Sequence, residues 1–142
     1  MNGFLTLFAR ALKLARAESD RLMSRHGVRV GQSLILEHLW IHDGQTPGEL
    51  AGRIGVSTPT IVNSARRMVE GGLIERRPDA ADRRLVRLWL TTHAWQLREA
   101  FEAERDGLAE RILGAVEPND REALIRALQA IVTELSRDDA RD

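Results

Sequence analysis

The chain contains no cysteine. That absence removes disulfides, thiolate-ligated metals, thiol nucleophiles and thiol redox sensing together, and it fits a reducing compartment. No apolar run is long enough for a secretory signal or a membrane span. The opening MNGFLTLFARALKLARAES is apolar but interrupted by Arg10, Lys13 and Arg16. Lysine is nearly missing: Lys13 stands alone among 21 basic residues. Internal repeats and low-complexity segments are absent. The expectation is a soluble, cytoplasmic protein of one domain spanning residues 1–142, since this length buries a real core without staples. No nucleophile–base pair, phosphate loop or full metal-ligand set stands out. An enzyme, a cofactor and a catalytic residue are therefore not expected.

What is present is an uneven charge. The formal net charge is zero, yet residues 1–52 carry +1, residues 53–91 carry +4 and residues 92–142 carry −5. A local basic patch is the electrostatic footprint of a phosphate-binding surface. It is densest in ERRPDAADRRLVRLWLT, where Arg76, Arg77, Arg83, Arg84 and Arg87 stand against Glu75, Asp79 and Asp82.

Periodicity and punctuation organise the rest. Leu7/Phe8, Ala11/Leu12 and Ala15 repeat at helical spacing, which predicts a helix over about 4–25, ended by Gly27. Residues 31–41, with Leu34, Ile35, Leu36, Leu39 and Trp40, predict a second helix apolar on several sides and so central. HDGQ at 42–45 breaks it. Thr46-Pro47-Gly48-Glu49 is a capping box with proline in the first helical position. The short helix PGELAGRI follows, with Gly55 as a left-handed stop. Ser57 caps a further helix over about 57–70, with Ile61, Ala65 and Met68 inward and Gly71-Gly72 after it. Val86, Leu88 and Leu90 alternate with Arg87 and Trp89, the period of a half-buried strand. Its partner is expected over 73–77, with PDAAD (78–82) as the turn. A long helix is expected over 92–116, carrying Leu97, Phe101, Glu104, Leu108 and Ile112. A last one is expected over 120–136, carrying Leu124, Leu128, Ile131 and Leu135, with a frayed tail RDDARD.

The order predicts a mainly α fold with a small β-hairpin wing. A winged helix-turn-helix occupies 31–91, flanked by helical segments 1–26 and 92–137. Those flanking helices are amphipathic, and they cannot all bury their stripes on so small a core. A second copy covers the remainder, so these segments are expected to dimerise. Ala51 and Gly55 supply the small residue and tight turn that let two helices cross closely. The following helix presents Ser57, Thr58, Thr60, Asn63, Ser64, Arg66 and Arg67, short polar and cationic groups suited to base edges and phosphates in a major groove. Arg83 and Arg84 sit at the ribbon tip, where an arginine enters a minor groove. Asp82 is placed to hold one of them by a charge-assisted bond. Arg76 and Arg87 complete the expected DNA-contacting set. The partner is double-stranded DNA, and no membrane is expected.

The sequence resembles the MarR family of bacterial transcriptional regulators. The resemblance rests on GLIERRPDAADRRLVRLWLT, with Asp82-Arg83-Arg84 in the wing and a strand ending in Leu90-Thr91, and on ELAGRIGVSTPTIVNSARRMVEGGLIERR before it. It implies a homodimer on a pseudo-palindromic operator, with the 57–70 helices in successive major grooves and Arg84, steered by Asp82, in the minor groove. It implies repression by occupancy. It also implies a small aromatic or phenolic effector, for which Arg16, His38, Trp40, His42, His93 and Trp95 are the candidates. The chain departs from the family pattern in carrying Val62-Asn63 where a Thr-Arg pair is common, and Arg66 where an acid is common. Asn63 reads adenine in a bidentate way, so a different operator is expected.

Two other functions compete. A winged-helix module binding protein has no need of a basic ribbon tip, and salt-insensitive or absent DNA binding distinguishes it. A metal-responsive regulator of the same fold would use His38 and His42, four apart, but no second pair of ligands accompanies them.

Overall fold

The computed structural model describes residues 3–139. Six α-helices and one two-stranded antiparallel sheet occur among them, the mainly α winged arrangement expected. The order is α1 (Phe4–Ser24), α2 (Gln32–Ile41), α3 (Pro47–Ile54), α4 (Thr58–Glu70), β1 (Ile74–Pro78), β2 (Val86–Leu90), α5 (Thr92–Gly114), a 3-10 turn at Pro118–Asp120, and α6 (Arg121–Asp139). The tail expected to fray stays helical through Asp139, and residues 140–142 lie outside the described residues. The chain forms two compact units, parted in sequence between Glu104 and Arg105.

The first unit is built on the crossing of α3 and α4. The Thr46 hydroxyl accepts from the Glu49 N–H at 3.2 Å, and the Glu49 carboxylate accepts from the Thr46 N–H at 3.1 Å. Two orphan donors at the start of α3 are thus satisfied reciprocally. Gly55 closes α3 in the left-handed conformation (φ 83°), and the Val56 N–H donates back to the Ala51 carbonyl at 3.1 Å. This six-to-one closure is the Schellman pattern, cheap only for glycine. Ser57 starts α4 directly, its hydroxyl accepting from the Thr60 N–H. So sharp a turn lets Leu50 and Ala51 of α3 meet Ile61, Ala65 and Met68 of α4, all buried.

Helix α2 fills the centre with Ile35, Leu36, Leu39 and Trp40, while Leu34 and Ile41 face solvent. Trp40 meets Phe101 of α5 edge to face, with ring centroids 4.9 Å apart, and its indole N–H donates to the Ala94 carbonyl at 3.1 Å. This geometry favours the ring quadrupoles and satisfies the buried N–H. Beside them His26 Nε2 lies 3.2 Å from the Glu104 carboxylate. That pairing accounts for the one polar residue in the expected stripe of α5. In the same stripe Phe101 is buried, but Ile112 is exposed.

The segment HDGQ does more than break α2. The Gln45 side-chain amide donates to the His38 and His42 carbonyls at 3.0 and 2.7 Å, capping the end of α2. The Gln45 carbonyl accepts from the Leu88 N–H at 2.9 Å, and Asp43 Oδ1 accepts from the Leu90 N–H at 2.9 Å. The turn thereby becomes a partial third strand for the wing. Gly44 is left-handed (φ 72°), and a Cβ there would fall 2.5 Å from the Trp89 ring. A Gly44→Ala variant is expected to lose about 1–3 kcal/mol of stability through backbone strain and displacement of Trp89. Thermal unfolding checks this, and an unchanged Tm would count against the packing described.

Candidate nucleic-acid interface

The polar face of α4 is open. Ser57, Thr58, Thr60, Asn63, Arg66 and Arg67 are exposed and Ser64 is half-buried. Their backbone positions follow from the buried stripe on the opposite face of the same helix. Two side chains already touch another: the Arg66 guanidinium reaches Asn63 Oδ1 at 3.4 Å, and the Ser57 and Thr60 hydroxyls are 2.8 Å apart. Asn63 and Arg66, the two departures from the family pattern, thus present as neighbours.

The wing extends the same basic stretch. β1 and β2 pair with Ile74 opposite Leu90 and Pro78 opposite Val86. The partner strand begins one residue later than expected, and the loop runs over residues 79–85. Arg83 and Arg84 therefore lie within the loop rather than after it. The reason is a set of side-chain bonds to backbone that lengthens the turn. The Asp79 N–H donates to the Leu85 carbonyl at 2.9 Å and closes the loop. Asp79 Oδ2 accepts from the Ala81 and Asp82 N–H groups at 3.0 and 2.8 Å. Asp82 Oδ1 accepts in turn from the Arg84 N–H at 3.0 Å. These are nested Asx turns, in which a short carboxylate mimics a backbone turn.

Asp82 also takes the Arg84 guanidinium, with Nε at 3.2 Å and Nη2 at 3.4 Å. The Arg84 side chain is nevertheless 91% exposed, against 39% for Asp82. An arginine held along one edge of its guanidinium and otherwise open to solvent is a cation presented outward. Arg83 is exposed as well. Arg76 lies opposite Leu88 on the other face of the ribbon from Arg77 and Arg87, which are register partners. Like charges side by side on one face are unfavourable, and both are compensated. Arg77 reaches Glu75 at 2.8 Å and stands over the Trp89 ring at 5.6 Å. Arg87 is bound by Asp79, donates to the Gly44 carbonyl at 2.9 Å, and passes Glu49 at 3.9 Å. Of the expected contact residues, Arg87 is the one whose guanidinium is already engaged on several sides.

Asp79, read from the sequence as a turn residue and one of three acids in the basic stretch, is the hub that sequence reasoning missed. Its carboxyl is held below the usual carboxylate range, first by the Arg87 hydrogen bond and then by the Asp82 N–H. Arg87 is raised above its ordinary value by the same pairing. A folded-state carboxyl pKa below the unfolded one contributes stability that is complete above the unfolded value of about 3.9. That contribution fades as pH falls through the folded value. The Asp79 tie is therefore expected to persist from neutral pH to about pH 4 and to open only in stronger acid. An NMR titration of the Asp79 carboxyl checks this, and a midpoint at or above the ordinary value would contradict it.

Thr91 also gains a role. Its hydroxyl donates to the Gly72 carbonyl at 2.6 Å and accepts from the Ala94 N–H at 3.2 Å, so it joins the end of β2 to the start of α5.

The residues grouped as effector candidates are dispersed in role. Trp40 is core, and the His38 ring Nδ1–H donates to the Leu34 carbonyl at 2.8 Å. His42 has left the helix: as the residue after α2 it is extended (φ −144°, ψ 96°), so it does not continue the helix face of His38. His93 and Trp95 are exposed at the start of α5, and Arg16 is exposed on α1. Among the described residues no group of three or more His, Asp or Glu side chains is arranged to hold a metal ion.

Comparison with known proteins agrees with this fold. Residues 26–85 match the model of the MarR family. The matched residues, which hold most of the winged helix-turn-helix, resemble the MarR family. An uncharacterised helix-turn-helix-type transcriptional regulator of Staphylococcus aureus strain Mu50 is 30% identical over 98 residues, 69% of this chain and 64% of that protein. The match thus spans a little under two thirds of that relative's length. A MarR transcriptional regulator from Methanosarcina mazei Go1 shares the fold with a TM-score of 0.84 at 17% identity, over 96% of this chain and 99% of its own. The S. aureus MepR–DNA complex shares it with a TM-score of 0.78 at 23% identity, over 92% and 97%. Among the described residues no helix of this chain is long and apolar enough to cross a membrane.

Proposed function

We propose that this chain is a sequence-specific, double-stranded DNA-binding transcriptional regulator acting as a homodimer. The observation that carries the reading is the outward-held Arg84 at the wing tip, beside the open polar face of α4, in the most positively charged part of the chain. α4 lies in a major groove, where Asn63 and Arg66 face base edges, and Arg84 enters the adjacent minor groove. The reading lobe is residues 31–91, and segments 1–26 and 92–137 associate. MepR, a protein of the same fold, has been crystallised with DNA, which supports the partner assigned.

Association is argued from uncovered apolar surface. α1 leaves Phe4, Leu5, Leu7, Leu12 and Leu14 exposed, and α6 leaves Ile125, Leu128, Val132 and Leu135 exposed. In α6 the spacings of three, four and three residues place one stripe on one face. Large apolar patches on a monomer mark association surfaces. A dimer then meets two half-sites about one helical turn of DNA apart. It represses by occupying the operator, and a small aromatic or phenolic molecule relieves it. Arg16, His42, His93 and Trp95 are the exposed members of the candidate effector set.

Selection of bound fragments from the source genome tests the whole reading. A shared pseudo-palindromic sequence is expected, bound with an affinity that falls steeply with salt as phosphate counterions are released. Weak binding with little salt dependence, or no enriched sequence, would overturn it in favour of a protein-binding winged helix.

A further inference from the structure

We propose that Asp79 is the positioning residue of the wing: it sets the direction of Arg84 without touching DNA, by tying the wing loop to the turn between α2 and α3 through Arg87. The proposal rests on the DNA-binding reading and assigns to Asp79 and Arg87 roles within it.

Arg84 needs such support. An exposed ion pair such as Asp82–Arg84 is weak by itself, because solvent screens it and both side chains lose rotamer freedom. Asp82 orients Arg84 only if its own backbone is fixed. Asp79 Oδ2 does this by accepting from the Ala81 and Asp82 N–H groups. The other oxygen, Oδ1, takes Arg87 Nε. Arg87 then donates from Nη1 to the Gly44 carbonyl, 2.9 Å away and 43 positions earlier in the chain. Gly44 is itself pinned, left-handed and pressed on Trp89, and its neighbours Asp43 and Gln45 hold Leu90 and Leu88 of β2. The path runs from a rigid turn of the reading lobe, through Arg87 and Asp79, to Asp82 and the base of Arg84. Asp79 is 13% exposed and Arg87 31% at the side chain, so this link is shielded from solvent as the Asp82–Arg84 pair is not. Two consequences follow. Minor-groove discrimination depends on a carboxylate that makes no DNA contact. Arg87, despite its charge and place in the basic stretch, neutralises Asp79 rather than a phosphate.

The test measures binding of the full-length chain by fluorescence anisotropy. The duplexes are the selected operator and a copy whose wing-facing A·T steps are changed to G·C. Asp79→Asn keeps an acceptor oxygen for the loop amides and loses its charged face toward Arg87. It is expected to reduce the A·T over G·C preference by about 3–10-fold, the scale set by freeing one long side chain. In an Arg84→Ala background the same substitution is expected to change the preference no further, because coupled residues are non-additive. Arg87→Gln is expected to reproduce the loss of preference while leaving the slope of log K against log salt unchanged. A phosphate ligand would lower that slope by about 1. Losses that add in the Arg84→Ala background, or a slope that falls by that amount, would overturn the proposal while leaving the regulator reading intact. No duplex binding by the wild type would overturn both. If Asp79→Asn does not fold, the Arg87 Nε–H in the wild type gives the answer by NMR. Slow exchange is expected for the tie, and exchange as fast as that of a free arginine refutes it.

Discussion

Glutamates in place of Leu128 and Leu135 are expected to weaken binding to a two-half-site operator by about 10²–10⁴-fold, the factor lost when a linked second binding event becomes independent. Both leucines are exposed within the protomer, with Ile125 and Val132 on the same stripe of α6. Their replacement therefore removes little intramolecular packing, and the effect falls on association. Light scattering at micromolar concentration should shift from dimer to monomer mass. Circular dichroism should show whether helix content is kept. Binding to a single half-site should change little by comparison. A doubly substituted protein that remains dimeric and binds as before would remove α6 from the association surface.

Arg84→Ala is expected to cost about 1–3 kcal/mol of operator binding, or roughly 5–150-fold, if the guanidinium makes a specific groove contact. The loss should concentrate on operators with A·T steps under the wing, where a narrow groove concentrates negative potential. Arg84→Lys keeps the charge but not the planar, weakly hydrated head, so it should recover phosphate attraction more than groove preference. Because the side chain projects into solvent, unfolding stability should stay within about 0.5 kcal/mol of the wild type. This separates a binding defect from a folding one. Equal affinity of wild type and Arg84→Ala in a gel-shift titration would take the groove role away from this residue.

Much of the reading lobe was legible because its determinants are local. The Thr46–Glu49 capping box, the Gly55 stop and the Ser57 cap act within six residues. The helices they bound, Pro47–Ile54 and Thr58–Glu70, fall where the spacing placed them. The inward set Ile61, Ala65 and Met68 was equally legible, since a 3.6-residue period alone decides which side of α4 is apolar. The Asp82–Arg84 pair is two residues apart and formed as expected. Elsewhere local pattern misled. In α6 the stripe expected at Leu124, Leu128, Ile131 and Leu135 is split: Leu124 and Ile131 are half-buried, while Leu128 and Leu135 are exposed beside Ile125 and Val132. Periodicity counts apolar residues without knowing which of two adjacent faces a neighbour covers. The wing turn was read too short because its length depends on which backbone amides Asp79 accepts.

The sequence by itself determined the element order, the caps, the basic middle and the arginine at the wing tip. Each is a property of composition or of residues a few positions apart. Only the tertiary structure decided which of the five arginines around the wing Asp79 takes. Asp79 takes Arg87 across the hairpin, eight positions away, and Arg87 reaches the carbonyl of Gly44, 43 positions away. An exposed charge has many partners of nearly equal energy in water. The choice is made only when folding brings one carboxylate, one guanidinium and one buried carbonyl together where solvent screening is weaker. The same holds for Gln45, whose amide and carbonyl turn an apparent helix break into the anchor of the wing.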